Sequence, residues 1–380
     1  MSSGTDAVVR VLVATTVHTP LDARIHHRQI RSLVDAGVAV TYAAPWSDTG
    51  TDPGDALDGV RTVDLPRAVG RRRLASLRAA RRLLRTVDRR RFDLVLLHDP
   101  ELVLAVVGRL RRLPVVVLDV HEDVVGSLPD RPWVPGPLAP LAARLARGLE
   151  GWAERHLRLL LAEHAYADRF GRPHPVVPNV PWLPTDEPPP AGSAERVVYV
   201  GRVSHFRGAD DLVALGQRLH ASGGPHLEVV GTADRDVEPR LRAAAARGEL
   251  TWHGFLPNDR ALEVVRGAVA GLSLLHDVPN YRGSMPTKVV EYLGMGVPAI
   301  TTPLPEASAL VEASGGGLVV PFEDVAAVVD AVRTLAGDRA RCVAMGAAGR
   351  AHVAAHLSWD AVAPRFVAEL QGWATAGDRS

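Results

Sequence analysis

VVRVLVATTVHTPLDARIHHRQIRSLVDAGVAVTYAA, residues 8–44, carries the chain once through a parallel sheet. VVRVLVA (8–14) is a nearly continuous apolar run that ends in a polar loop, the pattern of a strand buried on both faces. Residues 23–36 follow with helical spacing, Gly37 closes them, and VAVTYAA (38–44) is apolar again. Two such strands joined through a helix make a βαβ unit. Outward from it, strands are expected at 59–64, DLVLL (93–97), PVVVLDV (114–120) and LRLLLA (157–162), with helices over 71–90, 100–112 and 137–155.

The alternation stops at VVPNVPWLPTDEPPPAGSAE (176–195), where six of twenty residues are proline and no periodicity survives. Such a stretch is stiff and extended, so it reads as a hinge. Beyond it the pattern restarts with VVYVG (197–201), LEVVG (227–231), LTWHG (250–254), GLSLL (271–275), PAITT (298–302) and GLVV (317–320). Two helices, 338–356 and 359–374, have no strand after them. The reading is two doubly wound α/β domains: 1–176, a hinge over 177–195, and 196–357. A last segment, 358–380, is expected to pack back on the first domain. In such sheets, ligands bind beyond the carboxyl ends of the strands.

Composition narrows the function. The 380 residues are 47% apolar and 23% charged, as in a globular protein with a large core. The net charge of +1 argues against a dedicated nucleic-acid binder. A single cysteine, Cys342, excludes an internal disulfide framework and a cysteine-based zinc site. No apolar run reaches the ~18–20 residues that span a bilayer, and MSSGTDAVVR lacks the features of a signal peptide. A cytoplasmic protein, at most peripheral to a membrane, is expected. Of 44 basic residues, 43 are arginine, and Lys288 is the only lysine.

That lysine lies in GSMPTKVVEYLGMGVPAI (283–300). Pro286 suits the first turn of a helix, and Gly294 and Gly296 end it. Lys288 and Glu291 are three apart and share a face near the electropositive helix start. The lysine can reach phosphate oxygens there, and the carboxylate can accept from a ribose diol; a plain surface ion pair is the alternative. VVYVGRVSHFRG (197–208) adds Arg202 just past a strand end and Arg207 before the glycine that opens a helix, a suitable place for a diphosphate. His18, Asp22, Arg24, His98, Asp99, Glu101, His121 and Glu122 fall at strand ends of the first half, and of these His18, Asp22, His98, Asp99, Glu101 and Glu122 are candidates to line an acceptor site. RAVGRRRLASLRAARRLLRTVDRRR (67–91) holds eleven arginines. Leu74, Leu77, Leu83, Leu84 and Val87 can form its apolar stripe, leaving a solvated basic face or a foothold on anionic lipid.

Taken together, YVGR…RG, HGFLPN (253–258), PTKVVEYLGMGVPAI, TTVHTPLDARIHHRQIRSLVDAGVAV (15–40), LLHDPEL (96–102), LDVHED (118–123) and VPNVP (177–181) resemble the GT-B glycosyltransferases of family 4, over essentially the whole chain. The resemblance implies two Rossmann-like domains facing a central cleft. It implies a hexosyltransferase that moves a sugar from a nucleoside diphosphate sugar, UDP favoured over GDP, to a hydroxyl of a lipid-linked glycan or small aglycone. Retention of configuration, and no metal or cofactor, are further implications. Arg202, Arg207 and Lys288 would hold the diphosphate, with Gly201 and Thr287 beside them, and Glu291 the ribose. The backbone at Phe255 and Leu256 would read the base, and His121 would face the sugar. The family's first glutamate is replaced by Gly283, which leaves sugar recognition open. A GT-B epimerase or phosphorylase, or a non-catalytic nucleotide-sugar binder, are the alternatives.

Overall fold

All twelve expected strands form in the computed structural model, which describes residues 8–121, 139–283 and 285–377. By internal contact the chain divides into two units, one of residues 1–179 with 362–380 and one of 180–361. Each holds a six-stranded parallel sheet. In the first, β1 (Arg10–Ala14), β2 (Ala39–Ala44), β3 (Arg61–Asp64), β4 (Leu94–Leu97), β5 (Val115–Val120) and β6 (Arg158–Leu161) lie in the order β3-β2-β1-β4-β5-β6. In the second, β7 (Arg196–Val200), β8 (His226–Val230), β9 (Thr251–Gly254), β10 (Ala270–Ser273), β11 (Ala299–Thr301) and β12 (Gly317–Val319) lie in the order β12-β11-β10-β7-β8-β9. Counted from its own first strand, each unit has the same order, 3-2-1-4-5-6.

That order fixes where chemistry can sit. The chain reverses direction across the sheet beside β1 and β4 in the first unit, and beside β7 and β10 in the second, so the loops after those strands part and leave a crevice. The strands read as apolar runs because both faces are covered. Val197 and Tyr199 enter one core with Leu215, Leu272 and Ile300, while Val198 enters the other with Tyr292 and Val297.

Three helices differ from the sequence expectation. The helix expected over 71–90 is a short turn, Gly70–Arg72, followed by Arg73–Arg85. It stops there because the Asp88 carboxylate accepts from the N–H groups of Arg90 and Arg91 at 2.9 and 3.1 Å, offering the backbone a turn instead. Its buried face is Ser76, Ala80 and Leu84, and Leu74 lies outside the stripe at 65% exposure. The helix expected over 100–112 ends at Val106, before Gly108 in a left-handed conformation (φ 75°). The helix expected over 23–36 opens with a wide π turn, Ile25–Ile30, before its α-helical end at Arg31–Asp35.

The loops after β7 and β8 approach too closely for a side chain between them. Gly201 and Gly231 both take positive φ (130° and 135°), and a Cβ on Gly231 would stand 2.0 Å from the Gly201 carbonyl oxygen. Gly231→Ala is therefore expected to cost ~2 kcal/mol or more through overpacking and backbone strain. A urea melt checks this, and an unchanged midpoint would refute the tight approach.

Candidate functional site

In the first unit, the strand-end residues gather round one carboxylate. Asp119 sits near the end of β5 in an otherwise apolar strand and is 1% exposed. Arg24 grips it with two hydrogen bonds, Nε to Oδ2 at 2.8 Å and Nη2 to Oδ1 at 2.7 Å. Gln29 Nε2 donates to Oδ2 at 2.9 Å. The π turn places Arg24 and Gln29, five residues apart, on this one acceptor, and the Asp22 carboxylate starts the turn by accepting from the N–H groups of Arg24 and Ile25. His98 Nδ1 stands 3.3 Å from Oδ2. Burial works against the charge, but Arg24, with help from His98 and His121, outweighs it and holds the Asp119 carboxyl well below the usual range.

His121 follows two residues later. Its Nδ1 is 3.0 Å from the Asp119 backbone oxygen, and its Nε2 is 3.0 Å from His18 Nε2. Burial lowers its pKa, against the pull of Asp119. His18 lies 3.7 Å from both Asp22 Oδ2 and Asp99 Oδ1. Burial opposes ionisation of Asp22, yet His18 and the two backbone N–H groups hold its carboxyl far below normal.

His18, Asp22, Arg24, His98, Asp99 and His121 are thus brought together, as the sequence suggests, but with distinct tasks. Asp99 is 1% exposed, and its oxygens accept from Thr15 Oγ1, the Thr16 N–H and hydroxyl, and the Val17 N–H, so it shapes the loop after β1. Glu101 turns to Arg73 at 2.6 Å. Glu122 lies outside the described residues. His98, Asp119 and His121 place possible metal-ligating atoms within 4.8 Å of one another. Both Asp119 oxygens are engaged by Arg24, so a cation would have to displace a guanidinium that already balances the charge.

The second unit builds its site from the glycine-lined loop after β7. Lys288, in the first turn of the helix Thr287–Gly294, is 7% exposed and lays its Nζ 3.8 Å from the Tyr199 ring centroid. The ring face replaces part of its lost hydration. Among the described residues, no hydrogen-bond acceptor reaches the amine. Burial first, then Arg207, lowers its pKa from 10.5 to about 7, with Glu291 opposing. Lys288 also closes against Gly201, where a Cβ would come within 3.4 Å of Nζ. Arg207 ends a short turn, His205–Arg207, and its guanidinium lies 5.9 Å from the Tyr281 ring. Gly208 (φ 81°) lets that turn press on β10, since a Cβ would sit 2.5 Å from the Leu274 oxygen. Arg202 is paired with Asp234, Nε to Oδ1 at 2.7 Å, and is largely exposed. Thr287 and Phe255 are exposed, and Leu256 and Glu291 half-buried.

Sequence reading missed Asp119, Gln29 and Tyr199. The signal for Asp119 was present, because a carboxylate inside a run such as PVVVLDV needs a partner to be buried. Nothing local marked Gln29 or Tyr199. His276, bridging Asp211 at 3.2 Å and Glu323 at 3.1 Å, was also unmarked.

Two doubly wound units of identical strand order, each with a polar cluster at its switch point, define the GT-B class of fold. Residues 23–182 match the family described as "Glycosyl transferase 4-like domain", and residues 194–338 match "Glycosyl transferases group 1". The chain belongs to the GT-B glycosyltransferases of the family 4 type. It is 31% identical over 241 residues to the GDP-mannose-dependent alpha-(1-6)-phosphatidylinositol monomannoside mannosyltransferase of Mycobacterium tuberculosis, covering 54% of this chain and 58% of that protein. It is 30% identical over 173 residues to the D-inositol 3-phosphate glycosyltransferase of Nocardia farcinica, covering 43% of this chain and 37% of that protein. Its fold is similar to that of sucrose-phosphate synthase from Thermosynechococcus elongatus (TM-score 0.71, 18% identity, 97% of this chain and 100% of that one). It is also similar to an Anabaena protein solved in complex with UDP (TM-score 0.66, 13% identity, 96% and 100%).

The buried Arg24–Asp119 pair makes a stability prediction. Asp119→Leu or Arg24→Met alone strands a partner and is expected to cost ~3–5 kcal/mol, whereas the double variant recovers most of that loss. Denaturant melts of the three proteins check it; additive losses would show that the two side chains do not act as a pair.

Proposed function

We propose that this chain transfers a sugar from a nucleoside diphosphate sugar to an acceptor hydroxyl, with retention at the anomeric carbon. The observation that carries this is Lys288: a buried amine without a hydrogen-bond partner among the described residues, in the first turn of a helix and beside Arg207, calls for an anion. Breaking the anomeric C–O bond leaves negative charge on the departing diphosphate, and fixed cations in a dry site stabilise it. Arg207 and Lys288 supply that charge from the protein, with Arg202 joining if it shares Asp234. Glu291 accepts from the ribose diol. The mycobacterial relative is named for GDP-mannose, and the UDP-bound Anabaena protein shares only the fold. GDP is therefore our first choice over the UDP that the sequence resemblance favours, and thermal shifts with the two nucleotides compare them.

Lys288→Ala is expected to lower kcat by about 10²–10³-fold with the melting temperature retained. Lys288→Arg is expected to fall short as well, since a forked guanidinium is not a compact ammonium. Activity should persist in EDTA. The depressed pKa adds a second readout. Between about 7 and 10.5 the unfolded chain binds more protons than the folded one, so this residue's contribution to stability rises with pH across that window. A bound diphosphate restores the charge, so nucleotide binding at pH 8 should take up a proton, measured by calorimetry in buffers of different ionisation enthalpy. Wild-type turnover in Lys288→Ala, or binding without proton uptake, would remove the lysine from the mechanism.

The acceptor we propose is lipid-linked, reached on an anionic membrane surface. Arg78, Arg81, Arg82 and Arg85 recur at helical spacing on the exposed side of Arg73–Arg85 and pair with no carboxylate among the described residues. Arg72 and Arg73, by contrast, are engaged with Asp48 and Glu101. Val69 and Leu74, 56% and 65% exposed, supply apolar contacts at the same end. Each basic residue near an anionic surface contributes ~1 kcal/mol, lost as salt shortens the screening length. The protein should sediment with phosphatidylserine vesicles at low salt, and glutamate at those four positions should abolish this. No sedimentation of the wild type would leave a soluble aglycone as the acceptor.

A further inference from the structure

His121 is held at both ring nitrogens, and the partners dictate which atom carries the proton. Nδ1 faces the Asp119 backbone oxygen at 3.0 Å. A carbonyl can only accept, so Nδ1 must bear the hydrogen. In the neutral ring Nε2 is then a lone pair. Its neighbour at 3.0 Å is His18 Nε2, which must donate. The loop after β1, shaped by Asp99, thus reaches across to β5 and fixes the ring.

We propose that His18 is the positioning residue of this strand-end cluster, holding His121 as the neutral Nδ1–H tautomer so that the ring presents an uncharged, oriented surface and does not act as a general base. The charges around the pair favour this assignment. Asp22 and Asp99 both face His18 at 3.7 Å, so an extra proton is better placed on His18. Arg24, His98 and His18 disfavour charge on His121, and Asp119, which would favour it, is already neutralised by the bidentate Arg24.

The kinetic part rests on the transferase reading above; the tautomer belongs to the unliganded protein and is tested without it. Long-range ¹H–¹⁵N correlation spectra of the full chain should show His121 as the Nδ1–H form from pH 6 to 8. His18→Leu should let His121 exchange between tautomers or gain charge. His18→Gln, whose side-chain amide can donate from a similar position, should restore the fixed form. In turnover, His18→Leu should lower kcat by about tenfold to a hundredfold, with donor KM within about twofold, and His18→Gln should recover most of the loss. The pH dependence of kcat in the wild type should carry no ionisation assignable to His121. An Nε2–H or cationic His121 in the wild-type spectrum, or His18→Leu with unchanged tautomer and kcat, would overturn the proposal. Absence of turnover in the wild type with any donor, beside the expected spectrum, would instead count against the transferase reading alone.

Discussion

A carboxylate buried at the end of a parallel strand must be neutralised from within, and Asp119 imposes that demand on the first unit. Its neighbours in β5 are apolar, water does not reach it, and a lone charge there would be costly. The compensation comes from two other strand ends. Arg24 and Gln29 arrive from the segment after β1, wound into a π turn that aims both at one acceptor. His98 arrives from the end of β4. The ion pair thereby ties the two sides of the switch point together, and with them the loop that carries His18 and Asp22. His121, whose ring leans on the backbone of the same residue, inherits its orientation from this arrangement.

The second unit treats its buried charge in the opposite way. Lys288 has a ring face and a glycine edge around it but, among the described residues, no carboxylate within hydrogen-bonding reach. Gly201 lies against the amine, and Gly208 and Gly231 let the loops after β7, β8 and β10 pack closely. Side chains at those points would hold the loops apart. One unit is therefore internally balanced and preorganised, while the other leaves its buried amine without such a partner among the described residues. That difference follows from where carboxylates lie: Glu291 is one turn away along the helix, and Asp234 is occupied by Arg202.

The arginine excess has a similar division of labour. Arg24 is structural, Arg202, Arg72 and Arg73 are paired, and the run from Arg78 to Arg85 stays solvated. A composition in which almost every base is arginine hides these roles, because residue type no longer distinguishes a buried fork from a surface charge. The solitary lysine stood out for that reason alone.

Local pattern by itself determined the strands, their parallel sense, the proline-rich break between the two sets of strands and the helix that carries Lys288. Buried parallel strands must be apolar throughout, and prolines must interrupt periodicity, so both leave marks in consecutive residues. The family motifs marked the strand ends, and so the neighbourhood of His18, His121, Arg207 and Lys288. Helix ends at Arg85 and Val106 were not legible, since they depend on a side-chain turn at Asp88 and on the backbone at Val107 and Gly108. Nor could sequence assign tasks within the clusters: Asp99 as the holder of a loop, Glu101 as the partner of Arg73, Asp119 as the charge that gathers the site. Those assignments join residues more than twenty apart in the chain, brought within 3.3 Å only by strand order. Pairing and burial depend on distances across the sheet, and the tertiary structure alone decided them.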